Sequence, residues 1–226
     1  MDQACARLVP GVVLAALLAL GPVAAAQSGA AAVPAQMQPD VSFGYALNNE
    51  GAIRQIIVYR NNHQIQALDS CTGQDVPREK GLGELTREDF NFDGYQDLMM
   101  LVAFDAQTRN SSYCIWLYDP NTQTFVFSEE LSQLTNPRPN PNNRTVVARK
   151  NMMCSEQCYV QETYEWSGVH LKPVREESLA EDPTVPTVST CRYVRTIKTD
   201  ENGKLAETSR ERVNTGGVMC EPHAVW

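Results

Sequence analysis

Short runs of strand-forming residues, separated by turn-forming residues, recur along most of this chain. The clearest runs are "IRQIIVYR" at 53–60, "HQIQAL" at 63–68, "DLMMLVAF" at 97–104 and "YCIWLYD" at 113–119. Turn residues such as Asp119-Pro120-Asn121 and Ser167-Gly168 stand between such runs and can reverse the chain. Further runs lie at 124–131, 145–150, 158–166 and 169–178. The pattern predicts an all-β fold of antiparallel meanders that form a sandwich or a small propeller-like sheet stack.

The C-terminal part repeats this pattern and contains a strong hairpin signal. The runs "RYVRTIKT" and "KLAETSRERV" flank Asn202-Gly203, a dipeptide that favours tight two-residue turns. We therefore expect a hairpin within 190–220. Among the earlier segments, "GELTRED" at 83–89 is predicted to form a short helical turn, and the polar stretch 135–144 is predicted to be a connection.

The N-terminus has the pattern of an export signal. Arg7 precedes an apolar run, and small residues end at Ala26, so we predict a signal peptide at 1–26 with cleavage near Ala26. Residues 27–40 are small, polar or proline and predict a disordered linker, followed by a single β-domain at 41–226. No later segment reaches the roughly 20 apolar residues that a membrane span needs. A periplasmic or secreted protein is expected.

Cysteine content supports an oxidising compartment. Six cysteines follow the predicted signal, an even number that favours three disulfides in an exported chain. Six cysteines allow fifteen connectivities, of which order and spacing favour Cys71–Cys114, Cys154–Cys158 and Cys191–Cys220. A zinc site is the rival interpretation, but no second closely spaced cysteine pair and no nearby histidine accompany Cys154 and Cys158.

The negative net charge of the chain disfavours two classes of binding partner, nucleic acids and anionic membranes. The chain has 226 residues and a formal net charge of −8 at pH 7. An acidic protein is repelled by nucleic acid and by anionic membrane surfaces. A protein partner with a basic surface is the better expectation.

The segment "DFNFDGYQD" at 89–97 predicts a calcium site. Oxygen-bearing side chains fall at loop positions one, three, five and nine, and a backbone carbonyl is available at position seven. The predicted ligands are Asp89, Asn91, Asp93, Tyr95 through its carbonyl, and Asp97. This alternation is how calcium loops supply oxygen ligands, and a glycine at position six permits the sharp turn.

The acidic loop differs from an EF-hand, and a Ca²⁺ site there has two alternatives. Position twelve of the loop is Met100 instead of the bidentate glutamate of an EF-hand, and an apolar strand follows at once. The sequence therefore favours a loop-to-strand Ca²⁺ site with a structural role. Mg²⁺ fits less well because it demands compact octahedral geometry. A metal-free turn rich in Asp and Asn is the other alternative.

Candidate catalytic groups are few. His63, His170 and His223 have no nucleophile motif beside them, and the adjacent glutamates at 129–130 and 176–177 are typical of a solvated face. Nothing meets the geometric requirements of a catalytic constellation. We therefore predict that the protein is not an enzyme.

The segment "NMMCSEQCY" at 151–159 is a candidate binding loop. A Cys154–Cys158 bridge would constrain it and present Met153 and Tyr159 with less ordering entropy to lose on binding. Tyrosine is a favoured interface anchor. Tyr159 could equally be a strand residue that packs on Tyr164 or Trp166.

Three stretches resemble periplasmic inhibitors of lysozymes and peptidoglycan hydrolases, including the calcium-binding immunity proteins of bacteria-killing type IV secretion systems. They are "DFNFDGYQDLMML", "IWLYDPNTQTFVFSEELSQLTNPRPNPNNRTVVAR" and "YVQETYEWSGVHLKPV". The resemblance implies a β scaffold supported by calcium and a loop inserted into the active-site cleft of a cell-wall hydrolase. By position that loop is 151–159, with Tyr159 as the insert. The alternative function is a calcium-dependent envelope-binding or adhesion module without inhibitory activity.

Overall fold

Thirteen strands and one short helix make up the described part of the computed structural model, which covers residues 40–153, 157–185, 192–201 and 204–214. These residues all belong to one compact unit, Val33–Trp226. The predicted signal peptide and residues 27–39 of the predicted linker lie outside the described residues. The first strand begins at Val41, where the sequence places the start of the domain.

The N-terminal sheet has three antiparallel strands. They follow one another in space as in sequence, as β1 (Val41–Leu47), β2 (Ile53–Arg60) and β3 (His63–Asp69). The turn between β2 and β3 is made by Asn61 and Asn62, whose φ angles are 51° and 63°. Asparagine tolerates this left-handed conformation, which matches the twist of a two-residue hairpin.

The central sheet has four antiparallel strands, again in chain order. They are β4 (Leu85–Glu88), β5 (Asp97–Asp105), β6 (Asn110–Asp119) and β7 (Thr124–Phe127). Helix α1 (Glu129–Ser132) follows β7 and inserts its buried Leu131 beneath this sheet.

The C-terminal sheet is the largest and also runs in chain order. Its six strands are β8 (Arg138–Asn140), β9 (Thr145–Asn151), β10 (Tyr159–Ser167), β11 (His170–Glu181), β12 (Tyr193–Glu201) and β13 (Lys204–Val213). All five neighbouring pairs are antiparallel. The strands on either side of Asn202-Gly203 pair with each other along their length, as a hairpin requires. The prediction of an all-β fold built from antiparallel meanders is confirmed.

The central sheet buries both of its faces, which explains its unusually apolar strands. On β5, Leu98 and Met100 pack in a cluster shared with Ile56 and Val58 of the N-terminal sheet. Between them, Met99 packs in a second cluster that includes Val146 of the C-terminal sheet. Successive side chains of a strand point to opposite faces, so a strand covered on both faces must be apolar throughout. Three layers therefore share two cores.

A third, smaller cluster lies in the C-terminal sheet beyond β10. Its buried members are Cys158, Leu179, Tyr193 and Val213. Ion pairs cross the neighbouring strands here, among them Lys198–Glu176 at 2.6 Å. A pair between Arg195 and Glu211 joins β12 to β13 in the same way.

The predicted helical turn at 83–89 is wrong. Leu85–Glu88 forms strand β4 and pairs with β5, placing Leu85 opposite Met100. Leu85 packs against the first core cluster. Pairing with a neighbouring strand and burial of one apolar side chain outweigh the weak local preference for helix.

Other boundaries also differ from the prediction. The run 124–131 ends as a strand at Phe127, and two glutamates then open α1, where negative charge favours a helix N-terminus. Strands β1 and β8 were not predicted, because β1 contains Gly44 and β8 has only three residues including Pro139. Proline is tolerated in β8 because this strand lies at the edge of its sheet.

The predicted disulfide between Cys71 and Cys114 is confirmed. Cys71 and Cys114 are bonded, with their Cα atoms 5.5 Å apart. This bond ties the chain after β3 to the middle of β6 and so links the N-terminal and central sheets. Cys158 is also disulfide-bonded. The predicted partner Cys154 and the predicted pair Cys191–Cys220 lie outside the described residues.

Packing between the first two sheets can be tested at Gly83. Its φ is +80°, and a Cβ there would lie 2.2 Å from Cδ1 of the buried Ile53. Gly51 is a matched control, since its φ is +81° and a Cβ would meet nothing within 4 Å. We expect Gly51→Ala to lower the free energy of unfolding by about 1–2 kcal/mol and Gly83→Ala to lower it by about 1–3 kcal/mol more. Urea denaturation measures both; equal losses would contradict the packing.

Candidate functional site

The acidic loop joins β4 to β5, and its two phenylalanines anchor it to the core. Phe90 and Phe92 are buried in the second cluster beside Met99. The backbone carbonyl of Phe90 accepts a hydrogen bond from Trp166 Nε1 at 2.8 Å, and that of Phe92 accepts one from Arg144 Nη2 at 2.9 Å. The alternation of the sequence thus separates apolar side chains, which enter the core, from the polar ones.

The polar side chains of the loop fold over its own backbone. Asp89 accepts backbone hydrogen bonds from Gly94 at 3.0 Å and from Asp93 at 3.2 Å. Asn91 donates from Nδ2 to Asp93 Oδ2 at 2.9 Å, and Asp93 Oδ1 accepts from the amide of Tyr95 at 2.8 Å. Gly94 has a φ of 90°, which a residue with a side chain rarely adopts. The oxygens at loop positions one, three and five are therefore brought together.

Asp97 occupies a different place from the other predicted ligands. It is fully buried, and its Oδ2 accepts from the amide of Phe90 at 2.8 Å while its Oδ1 accepts from the amide of Tyr118 at 2.9 Å. Burial raises the pKa of this carboxyl to about 7. The two amides that bond to it lower the pKa, whereas the negative charges of Asp93 and Asp89 raise it. One carboxylate thus fastens the start of the loop to β6.

The remaining carboxylates carry an electrostatic cost of their own. Burial raises the pKa of Asp89, partly offset by the amide of Gly94, and the neighbouring charge of Asp93 raises it as well. Three carboxyl groups that influence one another in this way repel when all are ionised. A cation among them would remove that repulsion.

The donor set has the character that calcium prefers. Among the described residues, no three His, Cys, Asp or Glu side chains are grouped closely enough to hold a metal ion by themselves. Any ion here would therefore need the amide oxygen of Asn91 and backbone carbonyls such as that of Tyr95, which are hard oxygen donors suited to Ca²⁺. Carboxylate oxygens that accept one N–H keep a second lone pair free. Asp97, at position nine, would act through water, as that position often does.

The connection 151–159 is described except at 154–156. Met153 is 71% exposed. Tyr159 is half-buried at the start of β10, where its hydroxyl donates to Glu177 Oε1 at 2.7 Å and its ring lies 3.9 Å below the Arg149 guanidinium carbon. Burial, with the hydrogen bond to Glu177, raises the pKa of Tyr159. Tyr159 is therefore held in the sheet, and its insertion into a partner stays a prediction.

A cleft that the sequence did not predict lies beside the connection 151–159. The cleft has a volume of about 640 Å³ and lies between the β5–β6 turn, β8 and the end of β9. Its polar walls include Arg109, Arg138 and Arg149, and Met152 and Met153 line its rim. The three arginines are far apart in sequence and are brought together only by the fold.

The glutamates that the sequence places in adjacent pairs have structural contacts. Glu130 accepts from the amide of Leu171 at 2.6 Å and is 2.8 Å from His170 Nδ1. Glu176 pairs with Lys198, and Glu177 pairs with Arg175 at 3.0 Å. These contacts join α1 to β11 and β11 to β12.

Comparison with solved structures finds the same overall fold in one bacterial protein. It is a Xanthomonas protein described as related to the type IV secretion system, with 16% sequence identity and a TM-score of 0.52. The match covers 79% of this chain and 97% of that chain. No protein-family model and no curated protein sequence matches this chain. Within the residues that the structure describes, no helix has the length and apolarity needed to cross a membrane.

The role of Asp97 can be tested by conservative replacement. In Asp97→Asn, one of the two amides now bonded to the carboxylate would face an NH₂ group. Because an unsatisfied buried amide costs roughly 1–3 kcal/mol, we expect Asp97→Asn to lower the free energy of unfolding by that amount and Asp97→Ala by about twice as much.

The matched control is Asp105→Asn, because Asp105 also accepts backbone hydrogen bonds but is exposed. Urea denaturation of all variants with a chelator present keeps the comparison independent of metal. A loss at position 97 no larger than at position 105 would overturn this role.

Proposed function

We propose that this protein is a calcium-stabilised periplasmic protein that binds and inhibits a peptidoglycan hydrolase of the lysozyme type, in the manner of an immunity protein. The observation that carries the proposal is the shared fold: almost the whole of the Xanthomonas type IV secretion system related protein aligns with this chain. Secretion systems that deliver cell-wall hydrolases need a protein that protects the producing cell. The resemblance of the acidic loop and its flanking strands to calcium-binding inhibitors supports the same conclusion.

A binding role suits the geometry better than a catalytic one. The adjacent glutamates are held in structural ion pairs and hydrogen bonds. In contrast, the connection 151–159 carries an exposed methionine at Met153 beside an open cleft. Exposed methionine and arginine are enriched where proteins meet. The net charge of −8 complements a basic muramidase surface and would speed encounter.

Calcium would stabilise this scaffold without taking part in inhibition. The acidic loop fixes β4, β5 and β6 through Phe90, Phe92 and Asp97, so an ion bound by the loop would stabilise the central sheet. The Cys71–Cys114 disulfide fits the oxidising compartment in which such an inhibitor would work.

Calcium binding predicts a metal-dependent melting temperature. A ligand that binds only the native state stabilises it by mass action, so Ca²⁺ at 100 times its Kd would add about 2.7 kcal/mol. We expect Ca²⁺ to raise Tm, a chelator to lower it, and Asp93→Ala to abolish the difference. Asp105→Ala, at the exposed end of β5, is the control and should keep the full shift. Equal melting temperatures with and without Ca²⁺ would contradict a calcium site.

Inhibition predicts slower cell-wall lysis by a susceptible hydrolase. Lysis of purified peptidoglycan by a panel of lysozyme-like enzymes should slow when the protein is added in equimolar amount. Met153→Ala and Tyr159→Ala should weaken inhibition about tenfold, since each removes contact area or its support at the binding loop. Val169→Ala is the control for Met153→Ala, because Val169 is also an exposed apolar residue but lies on the β10–β11 turn, and this variant should inhibit normally.

The same assay separates inhibition from the alternative function. A module that only adheres to the envelope would sediment with peptidoglycan and slow no hydrolase. Binding to peptidoglycan without any effect on lysis would therefore replace the inhibitor proposal with the adhesion module.

A further inference from the structure

The cleft between the β5–β6 turn, β8 and β9 concentrates positive charge in an acidic protein. Arg109, Arg138 and Arg149 come from these three elements and line the same cavity of about 640 Å³. None of the described residues that line it is Asp or Glu. Three arginines that line one cleft, with no acidic residue among its described lining residues, give it a local positive charge that attracts an anion.

The floor of the cleft is held by a network of asparagines. Asn110 Oδ1 accepts from the amide of Asn151 at 2.9 Å and from Asn136 Nδ2 at 3.2 Å. Asn110 Nδ2 donates back to the carbonyl of Asn151 at 2.9 Å, and Asn136 Nδ2 also donates to the carbonyl of Arg149 at 2.8 Å. These bonds join the start of β6, the segment that precedes β8 and the end of β9. A site held in this way needs little ordering when a ligand binds.

Tyr159, which the sequence predicts as the residue inserted into a partner, positions Arg149. The Arg149 guanidinium lies over the Tyr159 ring, and the Tyr159 hydroxyl donates to Glu177. The Nε of Arg149 also donates to Asn151 Oδ1 at 3.3 Å. Stacking on an aromatic ring restrains a guanidinium while leaving its outer N–H groups able to donate. Tyr159 therefore acts as a positioning residue for the cleft.

These three arginines differ from those of the outer C-terminal sheet. On β11 to β13, arginines pair with acids, as in Arg175–Glu177 and Arg212–Asp182. No ion pair found among the described residues involves Arg109, Arg138 or Arg149. In addition, Arg109 has a φ of 57°, a left-handed conformation that glycine adopts more readily than a residue with a side chain. The cleft keeps an arginine where glycine would fit the backbone better.

We propose that this cleft binds the carboxylate side chains of an acidic segment of a protein partner. Guanidinium groups donate two parallel hydrogen bonds to a carboxylate, which makes arginine the preferred residue for its recognition. The exposed side chains of Met152 and Met153 add an adaptable apolar rim. Arginine and methionine together are typical of protein interfaces. The proposal holds whether or not the partner is a hydrolase.

A nucleic-acid ligand is disfavoured by the same surroundings. Single-stranded nucleic acid binds on exposed aromatic rings, and none of the described residues lining the cleft is aromatic. The Tyr159 ring, which contacts the cleft residue Arg149, is already covered by the Arg149 guanidinium. The negative charge of the whole chain also opposes a long polyanion.

Calorimetry with a model peptide tests the proposal. An end-blocked hexaglutamate peptide is titrated into the full protein in roughly 150 mM salt, where the screening length of about 8 Å suppresses long-range repulsion. We expect a Kd below about 1 mM for hexaglutamate and no binding of hexaglutamine. Arg138→Gln and Arg109→Gln should each weaken binding about fivefold to tenfold, because each removes a charge-assisted contact.

Arg54→Gln is the matched control. Arg54 is exposed on β2, outside the cleft, and its replacement changes the net charge by the same amount. It should bind hexaglutamate within twofold of the parent protein. Far-UV circular dichroism checks that each variant folds. If Arg138→Gln does not fold, Arg109→Gln still tests the proposal, because Arg109 lies in an exposed turn. Absence of hexaglutamate binding, an equal loss in Arg54→Gln, or tighter binding of an oligonucleotide or of inorganic phosphate would each overturn the assignment.

Discussion

One buried carboxylate, that of Asp97, fastens the acidic loop to the central sheet, on which both other sheets pack. Its two oxygens accept hydrogen bonds from Phe90, at the start of the acidic loop, and from Tyr118, on β6. A charge without solvent is costly unless hydrogen bonds or a counter-ion compensate it. Two amides compensate it in part, but burial still raises the pKa of this carboxyl to about 7. The conformation of the acidic loop therefore depends on the hydrogen bonds that join Asp97 to Phe90 and to β6.

Much of the fold could be predicted from the sequence because turn chemistry marks the ends of its strands. The run 53–60 coincides with β2, and the Asn61-Asn62 turn explains why the next strand begins at His63. Prediction was wrong where tertiary contacts outweigh local preference, as at β4, which is a strand because β5 lies beside it. The assignment of β5 to a double-faced central sheet needed the structure, since an apolar run does not say which layers cover it.

Of the two candidate sites, one could be predicted from the sequence and the other could not. The acidic loop could be found from the sequence because all of its polar groups lie within nine consecutive residues, and alternation separates them from Phe90 and Phe92. The arginine cleft could not, because Arg109, Arg138 and Arg149 belong to different elements and have no local pattern. Tyr159 illustrates both cases: the sequence indicated that it is a notable residue beside a binding loop, but its contact with Arg149 exists only in three dimensions.

The third cluster, around Tyr193 and Val213, gives the outer part of the C-terminal sheet a small core of its own. Beyond the backbone pairing of β11 to β13, side chains of these strands also meet in ion pairs, many of them partly exposed, and such pairs add little stability. A segment with few buried contacts opens more often than the rest of a domain and exchanges its amide hydrogens sooner. Amides of β12 and β13 should therefore exchange with deuterium as one group, well before those of β5 and β6. The protein would then combine a slowly exchanging platform with a more dynamic outer hairpin.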